Sequence, residues 1–224
     1  MMNRPIDRRC FLKLAAVAGG GAIAGGALSA CASESAETQS PARDVASSQA
    51  AAQQDPETPP QPVAGKVLVA YFSGTGNTRA VAERIALQTG GQLFEIAPEQ
   101  PYSESDLDWR DDGSRVTREH EDRSLRDIAL AQTAPDDFAE YETVFVGYPI
   151  WWQMAAWPVN RFMRDNDFTR KTVVAFCTSQ SSSIGSTRQD LEQLAGSGEW
   201  LDGQRFAENP QDGIVENWVE SLSI

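Results

Sequence analysis

The feature that most constrains this chain is an apolar run that stops abruptly in a loop of small polar residues. Lys66-Val67-Leu68-Val69-Ala70-Tyr71-Phe72 leads directly into Ser73-Gly74-Thr75-Gly76-Asn77-Thr78. A strand that is apolar on both faces has to be covered on both, which places it inside a parallel sheet flanked by helices. Beyond the loop, Ala80, Val81, Ile85 and Ala86 recur at helical spacing, and Gly90-Gly91 closes the helix. Strand, small-residue loop and helix in that order form a unit that can present backbone N–H groups to an anion.

The rhythm continues. Leu93-Phe94-Glu95-Ile96 reads as a short second strand, Thr143–Tyr148 as a third and Thr172–Cys177 as a fourth. A weak fifth is expected near Gln204-Arg205-Phe206. Helical patterns fall at about 155–166, 186–195 and 215–222. Alternating strands and helices imply an α/β domain with right-handed crossovers, spanning 65–224.

The first 31 residues read differently. Arg4, Arg8, Arg9 and Lys13 precede an Ala/Gly-rich, mildly apolar stretch from Leu14 to Ala30. That stretch is too short and too glycine-rich for a comfortable membrane span, and the pattern is that of an export signal. Asp7-Arg8-Arg9-Cys10-Phe11-Leu12-Lys13 resembles a twin-arginine signal, with Asp where Ser or Thr is usual. Leu28-Ser29-Ala30-Cys31 resembles a bacterial lipobox, which makes Cys31 the expected lipidation site and a membrane surface the expected anchor. Cleavage there would also remove Cys10 and leave Cys177 as the one free thiol, so no intramolecular disulfide is expected. Residues 32–64 are rich in Ala, Ser, Gln, Glu and Pro and contain no aromatic residue; they read as a disordered spacer.

Charge narrows the partners. The chain carries 19 basic and 32 acidic residues, a net charge of -13. Its one basic cluster lies in the leader, so sequence-independent nucleic-acid binding, which needs a positive surface, is not expected.

Residues 98–135 interrupt the alternation. They are long, strongly charged and only weakly helical, which suits a solvated insertion in place of a crossover helix. The other reading is a flap over a binding site, with Tyr102 and Trp109 as its apolar contacts. His120, the chain's single histidine, is expected to be solvated on that segment.

In an open parallel sheet, ligands bind beyond the carboxyl ends of the strands where the strand order reverses. Three loops arrive there. Ser73, Gly74, Thr75, Gly76, Asn77 and Thr78 offer hydroxyls, amides and close backbone approach to a phosphate. The loop lacks the Gly-Lys-Ser/Thr ending of a Walker motif and the spacing of a dinucleotide fingerprint. Pro149, Ile150, Trp151 and Trp152 follow the third strand; the indoles are either core residues or the wall of a flat aromatic ligand. Thr178, Ser179, Gln180 and, farther on, Gly185 follow the fourth, as a polar rim or a plain linker.

At this point residues 66–224 resemble flavodoxins, and among them a flavodoxin-like branch of exported bacterial proteins. Ser73–Thr78 matches the phosphate loop Ser/Thr-x-Thr-Gly-x-Thr at each fixed position. Gly147-Tyr148-Pro149-Ile150-Trp151-Trp152 resembles that branch's second flavin loop, and Phe176-Cys177-Thr178-Ser179 with Gly185 resembles the third. The resemblance implies a flavodoxin-like, doubly wound five-stranded parallel sheet in order 2-1-3-4-5, three layers α/β/α, and non-covalent FMN. It implies phosphate contacts from Ser73, Thr75, Asn77 and Thr78, stacking by Trp151 or Trp152 with Trp151 favoured, and a flavin pyrimidine edge against Thr178 and Ser179. A glycine beside the flavin N5 supports the one-electron state in carrier flavodoxins. None occurs from Tyr148 to Met154, so weaker support for that state is expected.

Three functions follow from the resemblance: an envelope electron carrier serving a redox partner protein, an FMN-dependent reductase of a quinone or other small acceptor, and a non-enzymatic lipid-anchored flavin-binding protein. No catalytic side chain, metal-ligand set or nicotinamide-binding unit is assigned.

Overall fold

The computed structural model describes residues 65–224; the expected export signal, Cys31 and the spacer lie outside the described residues. The domain begins with β1 (Lys66–Tyr71), α1 (Asn77–Thr89) and β2 (Gln92–Glu95). Then come α2 (Arg115–Glu121), β3 (Tyr141–Trp151), β4 (Met154–Ala155) and α3 (Pro158–Asp165). β5 (Thr172–Thr178), α4 (Thr187–Ala195), β6 (Glu199–Phe206) and α5 (Ile214–Ser221) complete it.

The main sheet runs β2-β1-β3-β5-β6, all parallel. With the two-residue β4 set aside as a hairpin arm on β3, this is the expected 2-1-3-4-5 order. Strand periodicity builds the two flanking layers. Leu68, Ala70, Val144, Val146, Val173 and Ala175 face one core, closed by Val159, Phe162 and Met163 of α3 and Leu191 of α4. Val67, Val69, Phe145, Val174 and Phe176 face the other, closed by Val81, Ala82 and Ile85 of α1 and Val215 and Val219 of α5.

Two strands exceed their expected lengths. β6 begins at Glu199, and β3 extends to Trp151 before turning back into β4. That turn is a two-residue loop with Trp152 at φ 45° and Gln153 at φ 64°. Positive φ at both central positions matches the right-handed twist of a hairpin, and this geometry usually recruits Gly or Asn. Here two larger residues hold it.

The insertion is not simply a solvated surface. Val116, Thr117 and Glu119 of α2 are buried, as are Ile128 and Leu130 beyond it. A bridge between Pro98 and Leu130 closes the insertion at its base. Val116, Ile128 and Trp157 form a third apolar cluster, with Trp151, Trp152 and Met154 against it.

Candidate functional site

The three loops meet at one cavity of about 520 Å³ at the carboxyl edge of β1, β3 and β5. Thr75, Asn77, Pro149, Ile150, Trp151, Trp152, Thr178, Ser179 and Gln180 line it, all from the expected set. Ser73, Gly74, Gly76, Thr78 and Gly185 do not line it. Another cavity of about 520 Å³ lies beside α2 among Glu99, Arg115, Arg118 and Asp127; it holds none of the expected residues.

The phosphate loop is shaped by its own hydrogen bonds. Ser73 Oγ accepts from the Gly76 amide at 3.1 Å, and Asn77 Nδ2 donates to Thr75 Oγ1 at 3.3 Å. Gly76 sits at φ 91° as the residue before α1, a conformation that costs a side-chain-bearing residue more. The α1 N-terminus therefore opens onto the cavity with amides free of side-chain caps, the arrangement that favours an anion. Thr78 is the second residue of α1. It is 1% exposed, and its hydroxyl pairs with that of Thr178 at 2.8 Å, tying the phosphate loop to the end of β5.

The aromatic wall is a packed assembly. Trp151 meets Phe72, Tyr102 and Trp157 edge-on, at centroid separations of 5.4, 5.5 and 4.9 Å. Trp152 stacks on His120 at 4.2 Å with 7° between the planes, and more distantly on Trp157. The expected solvated His120 is thus corrected: it is half-buried against Trp152, and its Nδ1 is enclosed without a hydrogen-bond partner among the described residues. The reason is tertiary, since α2 brings the imidazole onto an indole that only the β3–β4 turn presents.

Glu119 organises this wall from beneath. It is 4% exposed. Its Oε2 accepts from Trp157 Nε1 and from the Tyr102 hydroxyl, each at 2.7 Å, and its Oε1 accepts from Arg115 Nε at 2.7 Å. Burial, reinforced by that carboxylate, pushes the Tyr102 phenol well above its usual range, which keeps it a donor. The Arg115 guanidinium also covers the Tyr102 ring at 3.9 Å.

The polar rim is held by a residue the sequence did not single out. Arg205, on β6, donates from Nε to Ser179 Oγ at 3.1 Å and from Nη2 to the carbonyls of Ser179 and Gln180. Fixing those carbonyls presets the edge of the cavity. On β5 nearby, Cys177 is fully buried, and burial pushes its thiol up to about 12, so it is no nucleophile at neutral pH.

The insertion supplies the outer wall. Leu107, Trp109, Arg110 and Val116 line the cavity, as does Glu208 from beyond β6. A Cβ placed on Gly74 would lie 3.2 Å from Leu107 Cδ1, so this part of the insertion lies directly over the phosphate loop. The flap reading is the one that matches this geometry for Trp109, whereas Tyr102 packs behind Trp151. Arg110 is the one cationic side chain among the lining residues, and it comes from outside the three loops. The signal was available as a Trp-Arg pair, masked by the acids around it.

Comparison with known proteins agrees with this architecture. A sequence profile described as flavodoxin matches residues 66–222. A provisionally named flavoprotein from Bacteroides eggerthii is similar at 36% identity, covering 71% of this chain and 99% of its own, with a TM-score of 0.64. One from Bacteroides uniformis is similar at 37%, covering 70% and 98%, with a TM-score of 0.63. A flavoprotein from Lactobacillus acidophilus, solved in complex with FMN, is 21% identical over 63% of this chain and 93% of its own, with a TM-score of 0.48. No curated protein matches the chain. With the sheet order, the phosphate loop and a profile match over most of its length, the chain belongs to the flavodoxin family.

Proposed function

We propose that this protein is an FMN-dependent electron-transfer flavoprotein of the cell envelope. The observation that carries the reading is the convergence of three separate loops, one small and hydroxyl-bearing, one aromatic and one polar, on a single cavity at the switch point of the sheet. Amides of the Ser73–Thr78 loop and the α1 N-terminus, with Thr75 and Asn77, would hold the phosphate. Trp151 and Trp152 would border the ring, and the Ser179–Gln180 segment, preset by Arg205, its polar edge. Bound FMN supplies the redox chemistry; the protein positions it, limits water access and sets the field around it.

Spectroscopy of the purified full chain tests this. The expected result is a yellow protein with a flavin spectrum that releases FMN on acid treatment. A colourless protein that fails to take up added FMN at millimolar concentration overturns it. Thr75→Ala with Asn77→Ala should weaken FMN binding about tenfold or more while changing riboflavin binding much less, because a phosphate contact is worth roughly a charge-assisted hydrogen bond or two.

The envelope assignment rests on the leader. Arg8-Arg9 followed by an apolar stretch and Leu28-Ser29-Ala30-Cys31 supports twin-arginine export and lipidation of Cys31, with residues 32–64 as the tether. Export by that route carries folded proteins, so the flavin is loaded before crossing. Replacing Arg8 and Arg9 by Lys should abolish surface appearance of the holoprotein; unchanged surface levels overturn the route.

One observation favours reduction of a small acceptor over a purely protein-to-protein relay. The outer wall of the cavity displays Trp109, 60% exposed, where a small ring compound can reach it.

A further inference from the structure

We infer that Trp109 and Arg110 form the acceptor subsite, and that the acceptor is a flat anionic ring compound of the quinone class. This rests on the FMN reading above and adds the substrate chemistry.

The segment carrying the pair is anchored rather than loose. Asp106 accepts from the Ser103 amide at 2.9 Å and from its hydroxyl at 2.7 Å, Leu107 lies against Gly74, and Tyr102 is tied to buried Glu119. Trp109 and Arg110 are therefore presented to the cavity from a fixed base. Trp109 is the one exposed aromatic side chain among the described residues. The Arg110 guanidinium lies 4.6 Å from the centre of its ring, so a cation sits over one face of an indole that is 60% exposed.

Charge then selects the ligand. Arg110 is the one cationic side chain among the cavity's lining residues, and it has no ion-pair partner among the described residues. Two of the neighbouring acids are turned to backbone amides: Asp108 accepts from the Arg110 amide at 3.1 Å and Asp111 from the Gly113 amide at 2.9 Å. Glu208, which also lines the cavity, makes no ion pair with Arg110. Residues 65–224 carry 14 basic and 26 acidic side chains, so the surface as a whole repels anions. An uncharged acceptor needs no guanidinium. A guanidinium with no carboxylate partner, stacked on an open indole at the mouth of a cavity in an acidic protein, fits a planar ring bearing a carboxylate or sulfonate.

In the reaction the quinone takes two electrons and two protons from the reduced cofactor and leaves as the hydroquinone. The cofactor returns to its oxidised form, and a low-potential donor protein reduces it again.

The test uses the full-length holoprotein, reduced anaerobically with one equivalent of dithionite. It is mixed with 1,4-naphthoquinone-2-sulfonate or with an uncharged naphthoquinone of matched potential. The wild type should be reoxidised faster by the anion, against the sign of its net charge. Arg110→Gln should lower the anion-to-neutral rate ratio about tenfold, and Trp109→Leu should slow both acceptors. A binding readout accompanies the rates: anthraquinone-2-sulfonate should saturably quench tryptophan fluorescence of the oxidised holoprotein, and Arg110→Gln should weaken that binding about tenfold. An equal or lower rate with the anion in the wild type overturns the proposal. So does an unchanged ratio in Arg110→Gln, or a variant that loses FMN affinity but keeps riboflavin affinity, which would assign Arg110 to the cofactor phosphate. Failure to take up FMN at all overturns the cofactor reading and this proposal together; normal flavin content without anion preference overturns this proposal alone.

Discussion

Trp157 and Glu119 are joined by a hydrogen bond of 2.7 Å between the indole Nε1 and a carboxylate that is almost fully buried. The bond links the insertion to the start of α3, and through Trp157 and Tyr102 it sets the position of Trp151. Replacing Glu119 by Ala leaves a buried indole N–H, a half-buried hydroxyl and a guanidinium without this partner. The expected loss is about 2–4 kcal/mol of stability. Glu119→Gln, which keeps the shape and one acceptor oxygen, should lose less. Urea denaturation of both variants checks the order; a loss below about 1 kcal/mol for the Ala variant would remove Glu119 as the organising group.

His120 has the opposite character. Its ring is stacked on Trp152, yet its Nδ1 is enclosed without a partner. Phe at this position keeps the stack and removes the orphaned nitrogen. His120→Phe should therefore raise stability by up to about 1 kcal/mol, measured as a higher denaturation midpoint. A clear loss would mean that the nitrogen is satisfied in solution.

Gln153 holds φ 64° at the tip of the β3–β4 hairpin. The lack of glycine there does not prevent a left-handed turn; it makes the turn more costly. Gln153→Gly should stabilise the protein by about 1 kcal/mol, the usual cost of a left-handed L-residue less the added entropy of a glycine in the unfolded chain. Thermal unfolding with and without FMN checks this, and a lowered midpoint would count against a strained turn.

Cys177 gives a pH dependence of definite sign. Burial raises its folded value to about 12 from an ordinary 9. Between those values the unfolded chain has released the proton and the folded chain retains it. The contribution is complete below about pH 9 and is lost as pH rises towards 12. Cys177→Ala should flatten the alkaline fall in stability, and native protein should resist thiol reagents at pH 8. Rapid labelling of native protein would contradict the burial argument.

At the acid end, Arg84 grips Glu216 with two bonds of 2.7 and 2.6 Å, joining α1 to α5. That pairing holds the Glu216 carboxyl below its ordinary value. Its stabilisation is present above the ordinary value of 4.5 and is lost as pH falls through the lower folded value. Glu216→Gln should be less stable at pH 7 and show a shallower decline under acid. Parallel acid-titration curves for the two proteins would contradict this.

The buried strands and the phosphate loop were legible because their signals are local. Val67–Phe72, Val144–Val146 and Val173–Cys177 are apolar whichever way the pleat turns, and Ser73–Thr78 supplies small residues where a strand must become a helix with its amides exposed. Sheet order and the meeting of three loops then followed from the family resemblance and the rules of parallel topology. The insertion was not legible. Of its many charged residues only a few face inward, and what buries them lies far along the chain: Trp157 for Glu119, Trp152 for His120, Gly74 for Leu107. The left-handed turn at Trp152 and Gln153 was equally hidden, because local preference argues against it and hairpin twist overrides that preference. The sequence by itself determined a parallel α/β sheet with an anion-binding loop, since strand burial and turn chemistry act between near neighbours. Tertiary structure decided which hydroxyl points inward, which indole is braced and which cation reaches the cavity, since those depend on partners that only folding brings together.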